Sequence, residues 1–118
     1  MSLINNLQID ALSRFLDATV LRHETVTQNI ANLDVPQYKT KDVNFRNLLQ
    51  AASAGMVPAN AAPRVFEVQG LMERPDGNNV SLEREGLLLA TTQLQFQAGV
   101  QLLRSEFSRL KLAISEGK

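Results

Sequence analysis

The sequence predicts a mainly α-helical fold, in which two long terminal helices form an elongated coiled-coil hairpin joined by an irregular middle. All four prolines lie between residues 36 and 75, and proline interrupts helices because it lacks a backbone donor and clashes with the preceding turn. Both proline-free ends carry apolar residues at alternating spacings of three and four, the pattern of a coiled coil. A helix of about 30 residues is roughly 45 Å long, which is too long for a compact domain of this size.

The chain therefore divides into three expected parts. Residues 1–34 form the N-terminal helix of the coiled-coil core, residues 35–80 form a connector, and residues 81–118 form the C-terminal helix of the core.

Positions at the coiled-coil spacing define what we call the predicted seam. In the N-terminal helix they are Ile9, Leu12, Leu16, Thr19, His23, Val26, Ile30 and Leu33; in the C-terminal helix they are Leu82, Gly86, Leu89, Gln93, Phe96, Val100, Leu103, Phe107, Leu110 and Ile114. Most are apolar, so we expect subunit packing to depend on Leu12, Leu16, Val26, Ile30, Leu33, Leu89, Phe96, Val100, Leu103, Phe107, Leu110 and Ile114.

The connector has weaker patterns. The segment "DVNFRNLLQAA" predicts a short helix with Asp42 as its N-cap. Residues 51–63 are small and interrupted by Gly55, Pro58 and Pro63, which is typical of a loop. Residues 64–68, "RVFEV", are rich in β-branched and aromatic residues and indicate a short β segment.

Turn residues in "RPDGNNVS" lead into the C-terminal helix. Ser81 is the expected N-cap of that helix. Glu83 and Glu85 follow in its first turn, where the helix dipole favours anions.

Composition argues against several classes of function. Twelve basic and twelve acidic residues give a net charge of zero, whereas a dedicated nucleic-acid binder normally has a basic face. The chain has no cysteine and one histidine, His23, so a thiolate metal site is excluded and His23 is expected to be a polar seam residue. No pattern typical of a phosphate loop, a metal site or a catalytic triad is found, so no catalytic residue, metal ligand or cofactor is assigned and an enzyme is not expected.

The C-terminal helix carries more apolar residues than one partner helix needs. Beyond the seam it holds Leu87, Leu88, Leu94, Ala98, Leu102 and Leu112. Either the connector folds back over this surface or further subunits cover it. Two functions remain open at this level: an assembly subunit with helical ends, and a cytosolic helical binding module such as a secretion chaperone.

The stretch "QNIANLDVPQYKTKDVNF" resembles the N-terminal signature of the bacterial flagellar rod and hook axial proteins, which reads Asn-Ile-Ala-Asn, two residues, then Thr-Pro-Gly-Tyr-Lys. The matching residues are Asn29, Ile30, Ala31, Asn32, Pro36, Tyr38 and Lys39, whereas Val35 and Gln37 replace the usual threonine and glycine. The continuation "KDVNF" and the C-terminal stretch "QLQFQAGVQLLRSEFSRLKLAI" are most similar to the proximal rod proteins of that family.

The resemblance implies a structural subunit of the proximal rod of the flagellar basal body. Such subunits polymerise through their terminal helices, form part of the axial drive shaft and export channel, and have no catalytic activity or cofactor. The implied partners are other copies of the chain, FliE, rod subunits such as FlgC and FlgF, and the flagellar type III export apparatus, with no nucleic acid and no small-molecule substrate. The implied location is the periplasmic rod, reached without a cleaved signal peptide.

Three expectations concern the signature and the free chain. Asn29 and Asn32 either satisfy terminal carbonyls of the helix or bond neighbouring subunits. Gln37 after Pro36 favours a type I turn or an extended path, because a type II turn needs a positive φ that glycine adopts most easily. The terminal helices are expected to be partly disordered before assembly, since their apolar surface is unusually long.

Overall fold

The computed structural model describes residues 2–53 and 62–117 and is mainly helical. In chain order, the elements are helix α1 (Ser2–Ala31), strand β1 (Lys41–Val43), helix α2 (Phe45–Ser53), strand β2 (Val65–Glu67) and helix α3 (Leu82–Glu116). The molecule measures 68 × 25 × 15 Å with a radius of gyration of 18.0 Å, against about 13 Å for a compact domain of similar length. The predicted fold class, two long helices in an elongated arrangement around an irregular middle, is confirmed.

Helices α1 and α3 run antiparallel and form a long shaft. Near one end, Asn29 of α1 bonds Glu85 of α3, and further along, Gly99 of α3 lies against Phe15 and Leu16 of α1. These contacts fix the register of the two helices between residues 15–29 of α1 and residues 85–99 of α3.

The residues buried along the shaft are mostly small or polar. In α1 they are Ala18, Thr19, Thr25, Val26 and Asn29, and in α3 they are Glu85, Thr92 and Gly99. The predicted seam coincides with this set at Thr19 and Val26. Each helix is therefore rotated so that small side chains lie between the helices while many large apolar ones lie beside the contact.

Two short strands form an antiparallel sheet beside α1. Lys41 pairs with Glu67, Asp42 with Phe66, and Val43 with Val65. The predicted β segment at residues 64–68 is thus present as β2, whereas its partner β1 was not predicted.

Asp42 does not cap the short helix, so that prediction is wrong. Asp42 lies in β1, and the residue before α2 is Asn44, whose backbone carbonyl accepts from Leu48. The Asn44 side chain accepts a hydrogen bond from the Arg64 backbone, 2.8 Å, which joins the start of α2 to the start of β2. Of the loop predicted for residues 51–63, residues 54–61 lie outside the described residues.

The start of α3 matches the prediction for its cap. The Ser81 side chain accepts from the Arg84 backbone N–H, which satisfies one of the free donors at a helix N-terminus. Glu85, expected as a simple partner of the helix dipole, is instead fully buried. In the described part of the chain, no helix combines the length and the apolar character needed to cross a membrane.

Candidate assembly interface

Two regions of the molecule concentrate the residues that the sequence singled out. The first is the set of contacts that joins residues 22–43 to one another and to residues 73–85, which we call the polar junction. The second is the surface of the α1–α3 shaft, where most of the large apolar side chains lie. The polar junction positions the two helices, and the shaft presents the surface that a neighbour can reach.

Asn29 is the centre of the polar junction and is completely buried. Its Nδ2 donates to the Lys41 carbonyl at 2.8 Å and to Glu85 Oε2 at 3.1 Å. Its Oδ1 accepts from the Tyr38 hydroxyl at 2.9 Å and from the Lys41 N–H at 3.1 Å. An asparagine amide offers two donors and two acceptor positions, so all four are used within the chain.

This arrangement replaces both expectations for Asn29. The side chain neither satisfies a carbonyl of its own helix nor has a free group for a neighbouring subunit. It takes the place of a third strand, because its amide pairs with both backbone groups of Lys41 at the outer edge of β1. Asn32 satisfies a terminal carbonyl of its own helix, as the first of the two expectations states. Its Nδ2 donates to the Gln28 carbonyl at 2.7 Å, in the last turn of α1.

Glu85 brings a carboxylate into the buried part of the junction. Its side chain is fully buried, and Oε1 accepts from Arg84 Nη1 at 2.8 Å. The other oxygen accepts from Asn29, as described above. Burial first, and then the negative charge of Glu85, raise the pKa of the Tyr38 hydroxyl above its ordinary value, which keeps the phenol protonated as a donor to Asn29.

Asp42 joins both helices through β1. Arg22 of α1 donates from Nε and Nη2 to the two carboxylate oxygens, at 3.1 and 3.3 Å. Arg84 of α3 approaches the same carboxylate at 3.6 Å. Because both side chains of the Arg22–Asp42 pair are more than four-fifths buried, the loss of one partner would leave a poorly solvated charge. The Arg22 guanidinium also lies 5.3 Å from the centre of the Phe45 ring.

The loop before α3 binds the turn that follows α1. Asn78 is completely buried, and its Nδ2 donates to the carbonyls of Asn32 at 3.0 Å and Val35 at 2.8 Å. Arg74 donates to the Leu33 carbonyl and to the Val80 carbonyl. The Asn32, Leu33 and Val35 carbonyls belong to the turn that follows α1, and a distant segment of the chain supplies their donors.

Gln37 adopts a positive φ of 64°, so the expected type I turn or extended path is wrong. The Tyr38 N–H donates to the Val35 carbonyl at 3.3 Å; this bond across Pro36, together with the positive φ at the third position, defines a type II turn. The Gln37 N–H donates to the Asp76 carbonyl at 2.9 Å. The surrounding loop therefore imposes the glycine-like conformation on a glutamine.

The remaining signature residues also contact the junction or lie at its surface. Lys39 donates to Glu73 at 2.7 Å and to the Gly77 carbonyl at 2.6 Å. Ile30 is half-buried, whereas Ala31 and Pro36 are exposed.

The residues predicted for subunit packing differ widely in exposure. Val26 is buried. Eight are half-buried in the single chain: Leu12, Leu16, Ile30, Leu33, Leu89, Val100, Leu103 and Leu110. Phe96, Phe107 and Ile114 are exposed by 42%, 51% and 66%, so much of this set remains available for contact with another molecule.

A further apolar row lies on a different side of α3. Leu87, Leu94, Leu102 and Leu112 are exposed by 57% to 70%, and we call them the outer stripe. The described part of the connector packs against α1 through Phe45, whose ring centre lies 5.6 Å from that of Phe15, and leaves the outer stripe uncovered. The described residues of the connector therefore do not cover this part of the apolar surface.

An open groove runs between the two helices on one side of the shaft. It is lined by Thr19, Val20, His23, Glu24, Leu89, Thr92, Gln93, Phe96 and Gln97, most of which belong to the predicted seam or adjoin it. His23 is exposed at this groove. Among the described residues, no group of three or more His, Cys, Asp or Glu side chains is placed to hold a metal ion.

Sequence reasoning missed the polar partners of the junction. The sequence pattern assigns Arg74 and Asn78 only to a turn and Glu85 only to the helix dipole, and it gives Arg22 no partner, because a buried polar pair leaves no periodic signal in one sequence. The compact "DGNN" turn directly before a long helix was the nearest available signal.

Curated relatives resemble the chain over nearly its whole length, although no family model matches it. The flagellar basal body rod protein FlgB of Bacillus subtilis (strain 168) is 30% identical, over 93% of this chain and 95% of the relative. FlgB of Salmonella typhimurium is 28% identical, with 93% and 97% covered. FlgB of Cereibacter sphaeroides is 31% identical, with 89% and 94% covered.

Proposed function

The chain belongs to the FlgB family of flagellar basal body rod proteins, and on that basis we propose that it is a structural subunit of the proximal rod. It polymerises through its terminal helices and contributes to the axial drive shaft and the export channel. It acts without catalysis or a cofactor. Its neighbours are further copies of itself, FliE and rod subunits such as FlgC and FlgF, and it reaches the periplasm through the flagellar type III apparatus without a cleaved signal peptide.

The distribution of apolar side chains on α3 is the observation that carries this proposal. A surface helix of a self-sufficient domain has one apolar face, whereas a helix that is apolar on several sides is buried in a larger structure. In α3, Leu94 of the outer stripe is 67% exposed and Phe96, which points to another side, is 42% exposed. A helix 35 residues long with two open apolar sides is suited to packing among other helices along a shaft.

The polar junction supports the same proposal, because it fixes how the two helices are held. Its buried hydrogen bonds and ion pairs hold the two helices in one arrangement, so that the apolar surface is presented in a fixed geometry. A rigid subunit with a fixed surface is what a part that transmits torque requires.

The experiment places variants of the full-length chain in a flagellated bacterium whose own copy is deleted. Leu103→Asp, Ile30→Asp and Leu94→Asp are expected to abolish rod assembly and motility, because each buries a charge against apolar neighbours in the assembled shaft. Leu94→Asp is the sharpest of the three, since Leu94 is exposed in the single chain and its replacement leaves the fold intact. Leu94→Met, which keeps an apolar side chain of similar size at the same position, is the matched control and is expected to assemble.

Recovery of the tagged chain in purified basal bodies, read by electron microscopy and immunoblot, supports the proposal. Full-length rods built by Leu94→Asp would refute the role of the α3 surface. Purely cytosolic recovery with a one-to-one client would instead favour a secretion chaperone.

A further inference from the structure

We propose that copies of this chain associate head to tail, with one edge of α3 docked against one edge of α1 in the next copy. The inference rests on the proposed function and assigns the residues of one contact within it. The acidic edge consists of Asp17, Val20 and Glu24 on α1. The basic edge consists of Arg104, Phe107 and Lys111 on α3.

The two edges have the same spacing and opposite charge. Each has a charged residue, an apolar residue three positions later and a second charged residue seven positions from the first, so the three side chains of each edge share one face of their helix. All six residues are exposed, with Val20 at 43% and Phe107 at 51%. A charged–apolar–charged triplet on one helix thus has a complementary triplet on the other.

The charged side chains of both edges make no ion pair within the described chain. Elsewhere on the shaft, charged side chains pair locally: Asp10 with Arg14 at 3.1 Å and Glu106 with Arg109 at 3.3 Å. No opposite charge of the described residues lies within 4.0 Å of the four charged groups of the edges, Asp17, Glu24, Arg104 and Lys111.

One copy does not bring its own edges together. Val20 and Glu24 border the groove across from Leu89 and Phe96 of α3. The basic edge lies further along α3, beyond Gly99, which already lies beside Phe15 and Leu16 of α1. A symmetric contact of α1 with α1 or of α3 with α3 would place like charges opposite each other, which is destabilising. A contact between the two different edges is heterologous, and such contacts form rings or open helical assemblies instead of closed dimers.

The triplets also fix the alignment of neighbouring copies. If neighbours point the same way, α3 of one copy runs antiparallel to α1 of the next, and Arg104 faces Glu24, Phe107 faces Val20, and Lys111 faces Asp17. Within one chain, Gly99 lies beside Phe15 and Leu16, so the contact between copies is displaced from the internal register by about 13 residues. At 1.5 Å per residue, neighbouring copies are staggered by about 20 Å along the shaft.

Three residues a side make a small contact, well below the roughly 800 Å² per partner of a stable interface. The contact is therefore weak between two isolated copies, and it gains strength when many copies are held together. Because its charges are exposed, it weakens as the salt concentration rises.

The experiment reverses the charge of each edge in the purified full-length chain. Variant one carries Asp17→Lys and Glu24→Lys, and variant two carries Arg104→Glu and Lys111→Glu. Self-association is measured by sedimentation velocity at low salt. Each variant alone is expected to associate about tenfold more weakly than the unmodified chain, since each exposed ion pair contributes a factor of roughly 1.4 to 5 and repulsion adds to the loss.

An equal mixture of the two variants is the decisive sample. In the mixture, the reversed α1 of one variant faces the reversed α3 of the other, and the unmodified edges also match. The association constant is expected to return to within about threefold of that of the unmodified chain. This difference is within the factor that one exposed ion pair contributes. A mixture that associates no better than either variant alone overturns the proposal. The neutral changes Asp17→Asn with Glu24→Gln replace variant one if circular dichroism shows that it has lost helicity.

Cross-linking tests the geometry directly, because the chain has no cysteine of its own. Val20→Cys and Phe107→Cys chains, mixed and treated with a short bismaleimide, are expected to give hetero-dimers, while either chain alone gives none. Val20→Cys mixed with Leu112→Cys is the control, since Leu112 lies on another side of α3. Dimers of Phe107→Cys alone, or no dimer in the mixed sample at the highest soluble concentration, would refute head-to-tail docking. Recovery of the chain in basal bodies without this cross-link would refute the docking geometry and leave the proposed function standing.

Discussion

The polar junction and the α1–α3 shaft are built on opposite principles. In the junction, the buried Asn29, Asn78 and Glu85 each have hydrogen-bond partners within the chain. Along the shaft, Thr92 and Gly99 are buried between the helices while Leu94 remains 67% exposed. One region is complete in a single copy, and the other leaves most of its apolar surface for a neighbour.

The difference shows where specificity and affinity reside in a subunit of this kind. Directional hydrogen bonds define one geometry, and an unpartnered polar group there is costly. Apolar packing is less directional and tolerates many neighbours. The junction therefore determines how the helices are held, and the shaft determines how strongly the assembled subunits adhere. Four substitutions test this division, beginning with the largest expected effect.

Replacement of Asn29 by alanine should break the junction. It removes four hydrogen bonds and leaves the Lys41 backbone and the buried Glu85 Oε2 without the partner that Asn29 supplies, while Arg84 still binds Glu85 Oε1. We expect the free energy of unfolding to fall by about 3–5 kcal/mol, as for the loss of a partner in a buried charged network, measured by urea unfolding followed by circular dichroism. Asn32→Ala is the control, because the side chain of Asn32 makes one bond within its own helix, and it should cost about 1 kcal/mol or less. Equal losses for the two variants would show that the junction is not the organising region.

A glycine pair tests whether small side chains are required between the helices. A Cβ at Gly99 would lie 2.8 Å from Leu16 Cδ2 and 3.1 Å from Phe15 Cδ1, whereas a Cβ at Gly86 meets nothing within 4 Å. Both Gly→Ala changes gain about 1 kcal/mol of helix propensity, but Gly99→Ala also pays about 1–3 kcal/mol for overpacking. The two variants should therefore differ by about 1–3 kcal/mol in the free energy of unfolding. No difference would mean that the helices separate at Gly99 without cost.

The sequence predicted the parts of the fold that depend on local or periodic signals. The proline distribution predicted the long helices, Ser81 predicted the cap of α3, and "RVFEV" predicted β2. The rotation of the helices was not predicted, because apolar spacing identifies every apolar face and does not say which face pairs within the chain and which is left for a neighbour. Asn29, Asp42 and Glu85 were misassigned because their partners are 56 residues away in one case and 20 in another, and one sequence contains no record of such pairings.

Gln37 offers a change that should stabilise the junction. Its φ of 64° costs a non-glycine residue about 1–2 kcal/mol, while glycine loses part of this gain through its freer unfolded chain. Gln37→Gly should therefore raise the free energy of unfolding by about 0.5–1 kcal/mol. Gly77→Ala is the control and should lower the free energy of unfolding instead. Gly77 has a φ of 83°, and the Cβ of an alanine there would lie 3.3 Å from the Gln37 Cα. A destabilised Gln37→Gly variant would mean that the glutamine side chain contributes a contact that outweighs the backbone strain.

The junction should also lose stability at alkaline pH through Tyr38. Burial first, and then Glu85, raise its pKa in the folded chain above the ordinary value of 10.0, so folding favours the protonated phenol. This contribution to stability is fully present below the unfolded pKa and is lost as the pH rises through the folded pKa. The measurement compares the free energy of unfolding of the unmodified chain and Tyr38→Phe from about pH 8 to about pH 12, on either side of the ordinary tyrosine pKa. At the lower pH, Tyr38→Phe should be less stable by about 1 kcal/mol, since it lacks the bond to Asn29. The gap should close at the upper end, because the ionised phenolate no longer donates to Asn29 and is repelled by Glu85. A gap that stays constant across this range would show that Tyr38 does not ionise within the junction, and that the network tolerates alkaline conditions as well as an apolar core would.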